Sequence, residues 1–250
     1  MKLARLGDGP EIFHTIQGEG ISAGCPAVFV RASRCNLHCV WCDTDHTWNF
    51  EGTPWKHEKD GSPGYTKHRK AELTYETTPA DAARRVLAFD CPRVVLTGGE
   101  PLLQQDAFLE LIRIVRAAVP DCVVEVETNG TILPGDTFAA EVSQFNVSPK
   151  LANSGMSAAL RLVPAVLAWF AASPMAWFKF VVASPADLDE VLALSADHAI
   201  PRARILLMPE GRNAAALDRH AAWLADACRD HGLRFADRLH VRLWGDRRGV

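Results

Sequence analysis

Short runs of β-branched and apolar residues recur along the chain, and between them lie segments whose apolar positions return every three or four residues. AVFVR (27–31), RVVLT (93–97), CVVEVET (122–128), FNVS (145–148), FKFVV (178–182), RILLM (204–208) and LHVRL (239–243) have the length and composition of strands. TPADAARRVLAF (78–89), QDAFLELIRIVRAAV (105–119), PADLDEVLALSADH (185–198) and NAAALDRHAAWLADACRDHG (213–232) carry the helical period. Thr78 followed by Pro79 is a helix start, a hydroxyl N-cap and then proline at the first helical position, and Gly232 is a C-terminal stop. Strands alternating with helices predict βα units and a parallel sheet. Their number points to an α/β fold, a barrel or partial barrel, in one domain over 1–250.

One segment breaks this alternation. Residues 46–73, HTWNFEGTPWKHEKDGSPGYTKHRKAEL, are polar and rich in glycine, proline and lysine, with little periodicity. A loop of this length inside a compact domain is usually functional or mobile. It directly follows a cysteine cluster, so it is expected to form a flap near a site; the alternative is an exposed insertion without a role.

Composition narrows the class. A net charge of -3 argues against general binding to nucleic acid or to an anionic membrane. The longest apolar stretch, LVPAVLAWFAA (162–172), is far shorter than the ~20 residues that span a bilayer, and MKLARLGDGPEIF lacks the apolar run of a signal peptide. Seven cysteines, an odd number without framework spacing, imply reduced thiols and a cytoplasmic location.

Three of those cysteines fall within CNLHCVWC, as Cys35, Cys39 and Cys42, with the spacing C-x3-C-x2-C. A loop so spaced can wrap three soft thiolates around one centre, zinc or an iron–sulfur cluster. Structural zinc takes four ligands, and His38 or His46 could supply the fourth. A 4Fe–4S cluster normally takes four cysteines, so three would leave one iron open to a substrate or cofactor. Cys25, Cys91, Cys122 and Cys228 stand apart and are expected to be structural.

C-x3-C-x2-C with Trp41 before the last cysteine resembles the radical S-adenosylmethionine superfamily, and LTGGEP (96–101) after a strand resembles its second signature. Paired glycines let backbone approach a ligand closely. The resemblance implies that S-adenosylmethionine chelates the open iron and is cleaved, after one-electron reduction, to a 5′-deoxyadenosyl radical. IFHTIQGEG (12–20), whose QGEG is expected to be an exposed loop before the first barrel strand, together with ETNG (127–130), VSPK (147–150) and a late strand bearing His240, is similar to the 7-carboxy-7-deazaguanine synthase family. That implies ring contraction of 6-carboxy-5,6,7,8-tetrahydropterin to 7-carboxy-7-deazaguanine and ammonia, in queuosine or 7-deazapurine biosynthesis.

By the same resemblance, Ile16, Gln17, Gly18 and Glu19 would line the substrate pocket, Arg31 would face the substrate carboxylate, and Thr97 and His240 would also touch substrate. A C-terminal carboxylate reaching the substrate would be that of Val250. Trp41, Cys42, Asp43, Gly98, Gly99, Glu100, Ser148, Pro149, Lys150, Met208, Pro209 and Glu210 would hold S-adenosylmethionine, and Thr44 would bind Mg2+. The family further implies a homodimer and a flavodoxin or ferredoxin as electron donor. Two features depart from it. Some members have a longer gap between the first two cysteines, and tails often end after H-K-Y, where this chain has His240, Val241, Arg242 and a longer basic segment. Two other readings remain at this point: a glycyl-radical enzyme activase, which gives no role to QGEG or Thr44, and a non-catalytic zinc or iron–sulfur module, for which TGGEP is incidental.

Overall fold

The computed structural model describes residues 1–250. Its strands are β1 (Lys2–Leu6), β2 (Gly9–Pro10), β3 (Ile12–Ile16), β4 (Pro26–Ala32), β5 (Thr74–Glu76), β6 (Arg93–Gly98), β7 (Val123–Thr128), β8 (Gln144–Val147), β9 (Ala176–Val182), β10 (Ile205–Pro209) and β11 (Arg234–Phe235). The helices are α1 (Lys70–Leu73), α2 (Pro79–Leu87), α3 (Gln105–Ala118), α4 (Asp136–Ala139), α5 (Ala158–Arg161), α6 (Pro164–Ala172), α7 (Pro185–Asp197), α8 (Ala214–His231) and α9 (Leu239–Trp244).

From β4 the sheet runs β6, β7, β8, β9, β10 and β11 in chain order, every pair parallel. Strands that follow one another without reversal wind a sheet toward a barrel and put their helices on one face. The winding stops short of closure. One end is β11, and at the other β1 and β3 pair antiparallel with β4.

The two faces of the sheet differ because side chains alternate along a strand. Val124 and Val126 of β7, Phe145 and Val147 of β8, and Phe178 and Phe180 of β9 join a 40-residue apolar core under the helices. α3 meets it with Phe108, Leu111, Ile112 and Val115, one stripe at helical spacing. Each such side chain contributes roughly 1.5–3 kcal/mol on burial. The intervening residues face the concave side, and there Glu125, Glu127, Asn146 and Lys179 are linked by hydrogen bonds. Thr78 caps α2 by accepting from the Asp81 N–H at 3.1 Å, and Gly232 ends α8 at φ +65°.

Two elements depart from the sequence reading. LHVRL (239–243) is helical as α9, not a strand. Its alternating Leu239, Val241 and Leu243 mimic a strand, and so short a run cannot separate the two periods. The sheet already ends at β11, and the Arg242 N–H closes a helical turn on the Arg238 carbonyl at 3.1 Å. At the other end, Ile12–Ile16 is a strand, and the QGEG segment that follows is not exposed: Gln17 is 2% exposed, and Gly18 is buried.

The 46–73 segment folds on itself around a buried carboxylate. Asp45 accepts from Tyr65 Oη at 2.5 Å and pairs with His68 Nε2 at 2.9 Å, while Asn49 Nδ2 donates to Tyr65 Oη at 2.9 Å. The Glu58 N–H donates to the Val40 carbonyl at 2.8 Å, so the segment leans on the outside of the cysteine loop.

Glu11 ties four parts of the chain together. Its fully buried carboxylate meets Arg31 Nε of β4 at 2.8 Å, His46 Nε2 at 3.2 Å and Arg248 Nη2 at 2.5 Å. Burial alone would raise its pKa, but Arg31, His46 and Arg248 outweigh that and hold it well below the ordinary carboxylate range. A depressed folded-state pKa gives stability that is present above the unfolded value and lost as the carboxylate takes up its proton. Glu11→Gln should therefore destabilise by about 3–5 kcal/mol near pH 7. The melting-temperature gap to wild type should narrow as pH falls below about 4.5; thermal melts from pH 7 to pH 3.5 test this, and a gap that widens on acidification contradicts it.

Candidate active site

The C-terminal ends of the parallel strands surround a cavity, which the cysteine loop and the 236–250 segment complete. Such a crevice beyond the carboxyl ends of parallel strands is where α/β proteins bind ligands. Cys35, Cys39, Trp41, Cys42, Asp43 and Thr44 border one part of it. Ile16, Gln17, Gly18, Glu19, Arg31, Thr97, His240 and Val250 border the same cavity, as do Gly98, Gly99, Ser148, Lys150, Met208 and Glu210. Residues from opposite ends of the chain thus meet in one place.

Three expected residues lie outside it. Glu100 is fully buried behind the wall, where its carboxylate accepts from the Leu102 N–H at 3.0 Å, Thr128 Oγ1 at 2.9 Å and the Asn129 N–H at 2.8 Å. Burial raises its pKa to about 6 against those hydrogen bonds. Pro149 lies beside Gly130, and Pro209 alternates with the cavity-lining Met208 and so points to the other face of β10.

The paired glycines have a second use besides bordering the cavity. A Cβ on Gly98 would lie 2.3 Å from the Ala32 oxygen, and one on Gly99 1.9 Å from the Arg34 oxygen. The Gly99 N–H donates to Ala32 at 3.1 Å and the Glu100 N–H to Arg34 at 2.9 Å. TGGEP is thereby fastened to the backbone that leads into Cys35.

All three loop thiols are free. Burial pushes each of them up, Cys39 to about 12, with the neighbouring carboxylates adding to the rise at Cys35 and Cys42. Protons therefore stay on the sulfurs until a metal takes their place. The Leu37 N–H and Asn129 Nδ2 point at Cys35 Sγ from 3.4 and 3.9 Å, and Thr44 Oγ1 lies 3.5 Å from Cys42 Sγ. Neither histidine considered as a fourth zinc ligand borders the cavity. His46 is engaged by Glu11, and His38 stacks on Trp55 at 3.9 Å. Three thiols on one cavity without a fourth protein ligand fit a cluster with one open iron better than a closed zinc site.

Opposite the thiols stands an ionic chain. Lys179 Nζ donates to Glu127 at 2.9 Å and to Glu19 at 2.5 Å. Arg238 donates from Nε to Glu19 at 2.9 Å and from Nη2 to Asp43. Burial would raise both Glu19 and Asp43, yet Lys179 and Arg238 hold Glu19 low, and Arg238 holds Asp43 at about 2. At Glu127 burial prevails over Lys179, and its pKa is raised. Glu127 also accepts from Gln17 Nε2 at 3.2 Å and Asn146 Nδ2 at 3.0 Å. His240 lies 3.9 Å from Glu19, and burial lowers its pKa.

Glu127, Lys179 and Arg238 were not among the residues expected at the site. The first two had a legible signal, a charge in the middle of an apolar strand, in VVEVET and FKFVV. Arg238 had none.

Residues 29–149 match the model of the Radical SAM superfamily. With the cysteine loop, the TGGEP turn and the winding of the sheet, this defines a radical S-adenosylmethionine enzyme, a class that holds a 4Fe–4S cluster and S-adenosylmethionine. The chain is 36% identical to the 7-carboxy-7-deazaguanine synthase of Pyrobaculum aerophilum, over 96% of this chain and 95% of that one. It is also 36% identical to the enzyme of the same name from Halobacterium salinarum, over 96% and 93%. The chain belongs to the 7-carboxy-7-deazaguanine synthase family. The crystal structure of QueE from Escherichia coli superposes with a TM-score of 0.64 at 23% identity, covering 96% of this chain and 95% of that one, and shares its fold. No helix is long and apolar enough to cross a membrane.

Gly18 is another place where the two ends of the chain touch. A Cβ there would lie 2.0 Å from His240 Nδ1, and the Leu239 N–H donates to the Gly18 carbonyl at 2.8 Å. Gly18→Ala should displace the 238–240 segment at a cost of about 1–3 kcal/mol. Limited proteolysis followed by mass spectrometry should then find cleavage within 236–250 that wild type resists; an unchanged digest argues against this contact.

Proposed function

We propose that this enzyme converts 6-carboxy-5,6,7,8-tetrahydropterin to 7-carboxy-7-deazaguanine with loss of ammonia. One observation carries the reading: the three thiols and an array of fixed polar donors and acceptors border a single cavity. A zinc module has no use for the array. A glycyl-radical activase, which works on a protein, has none for buried Gln17 and half-buried Glu19 beside it.

Cys35, Cys39 and Cys42 hold the cluster. Trp41, Asp43, Gly98, Gly99, Ser148, Lys150, Met208 and Glu210 cradle S-adenosylmethionine. When bound, the cluster and this cofactor supply a 5′-deoxyadenosyl radical by one-electron cleavage of the sulfonium. Lys150 is preset for its part, donating to Ser148 Oγ at 2.9 Å with its ammonium 5.7 Å from the Trp41 ring centre.

The substrate side is organised by charge. Glu11 holds Arg31 through Nε, leaving the two terminal guanidinium nitrogens for the substrate carboxylate, a pairing whose fork geometry suits two-point docking. Thr44, which borders the cavity, would supply an oxygen to Mg2+, an ion that prefers oxygen ligands and retains waters. Glu127 and Glu19 accept from the N–H groups of the pterin ring, Lys179 fixes both carboxylates, and His240 offers a neutral imidazole. Phe13 and Phe29, stacked 5.4 Å apart at the cavity, give the bicyclic ring an apolar wall. Ile16, Gln17, Gly18, Thr97 and Val250 complete the enclosure, which keeps water from the reacting carbon. A flavodoxin or ferredoxin supplies the electron, and the enzyme works in the cytoplasm as a homodimer.

The reading is tested anaerobically with reconstituted enzyme, dithionite, S-adenosylmethionine, Mg2+ and the pterin, products being followed by mass spectrometry. Wild type should form 7-carboxy-7-deazaguanine, and Cys39→Ala should form neither it nor 5′-deoxyadenosine. Release of 5′-deoxyadenosine by wild type without any deazapurine would retain the class and reject the substrate. Arg31→Lys keeps the charge and loses the fork, and should raise KM about 10- to 100-fold with a smaller fall in kcat.

A further inference from the structure

Two side chains from distant parts of the chain converge on the backbone carbonyl of Cys42. Arg212 Nη2 donates to that oxygen at 2.7 Å and to the Trp41 oxygen at 3.0 Å. His57 Nε2 lies 2.8 Å from the same Cys42 oxygen. His57 Nδ1 accepts from the Lys59 N–H at 3.2 Å, which leaves the ring proton on Nε2 and makes that nitrogen a donor to Cys42. The two donor nitrogens, sharing one acceptor, stand 3.2 Å apart. Neither residue borders the cavity, so neither is placed to touch substrate or S-adenosylmethionine.

Arg212 is held in an expensive state. Its side chain is 12% exposed, and Nε and Nη1 are buried without a hydrogen-bond partner. The nearest carboxylates are Glu58 at 3.1 Å, half exposed, and Asp246 at 3.9 Å. Its remaining nitrogen, Nη2, is the one that serves the cysteine loop. The preceding turn fixes it there. A Cβ on Gly211 would lie 2.8 Å from the Ala216 Cβ and 2.9 Å from the Leu217 nitrogen, and the Gly211 carbonyl accepts from Arg238 Nη1 at 2.6 Å.

We propose that Arg212, with His57 beside it, raises the reduction potential of the cluster by setting a fixed positive charge and two donors on the backbone of its ligand Cys42. Reduction adds one negative charge to the cluster. A buried cation stabilises the reduced form more than the oxidised one, because the low-dielectric surroundings screen it poorly, and local charge and hydrogen bonding are established levers on such potentials. His57 comes from the 46–73 segment, which thereby acquires a role, since it brings a donor to the cysteine loop from outside. Glu58, its neighbour, partly offsets the Arg212 charge from the solvent side.

The inference rests on the cluster assigned through the family, and the iron and sulfide content of wild type tests that assignment separately. Wild type, Arg212→Gln, Arg212→Lys and Glu58→Gln would be reconstituted anaerobically, assayed for iron, and titrated against potential by electron paramagnetic resonance without S-adenosylmethionine or substrate. At a fixed potential, Arg212→Gln should lower the ratio of reduced to oxidised cluster at least about tenfold, a downward shift of about 59 mV for one electron. Arg212→Lys, which keeps the charge, should stay within about threefold of wild type, and Glu58→Gln should move the ratio upward by about two- to threefold. Arg212→Gln with full iron and the wild-type potential overturns the proposal. Should Arg212→Gln fail to hold iron, Glu58→Gln decides alone: a higher potential supports the proposal, and an unchanged or lower one overturns it.

Discussion

The site depends on a chain of alternating charges, Glu127, Lys179, Glu19, Arg238 and Asp43, whose two cations are buried. An open parallel sheet does not hold its two ends at a set distance. Here a cation from β9 joins a carboxylate of β7 to the segment after β3, and an arginine from beyond β11 carries the link on to the cysteine loop. Burying two cations is expensive unless each finds its partner. Each of these cations therefore needs its two carboxylates: with one gone, a buried charge is left short of a partner. That condition makes the cavity a fixed shape rather than the gap between a sheet and its loops.

The cysteine loop is fixed in the same manner but from more sides. TGGEP reaches it through the carbonyls of Ala32 and Arg34, and Asn153 takes the indole N–H of Trp41 at 3.0 Å. Arg212 and His57 hold Cys42, and Glu58 holds Val40. A loop of free thiols without regular structure needs such anchors, since few of its own backbone groups bond to one another. The side of the loop facing the cavity is thus left to the chemistry, and the side facing away to support.

Much of this was legible in the sequence, for identifiable reasons. The helices declared themselves by period and by caps such as Thr78–Pro79, and the central strands by length and β-branched content. The cysteine spacing and the TGGEP turn are local signals, and both fall at the cavity. What escaped depended on contacts distant in sequence. Arg238 looks like any surface arginine until its partners 195 and 219 positions away are known. The helical state of 239–244 was hidden because apolar residues at alternate positions suit either structure when no neighbouring strand can be checked. Glu100 shows the reverse case: inside the TGGEP turn, its carboxylate braces the turn from behind. A motif marks where a site lies, and the division of labour within it follows from packing.

The alternation of β7 has a consequence for assembly. Val124 and Val126 point to the helices while Glu125 and Glu127 point inward, so sliding this strand by one residue against β6 or β8 would exchange the sets. Two carboxylates would then enter the apolar layer, and two valines the polar hollow. Parallel sheets form slowly, through contacts far apart along the chain, and are exposed to mispairing while they do so. The acidic residues on the concave side of the finished enzyme also act as a proofreading device during folding, making the misregistered sheet too costly to persist.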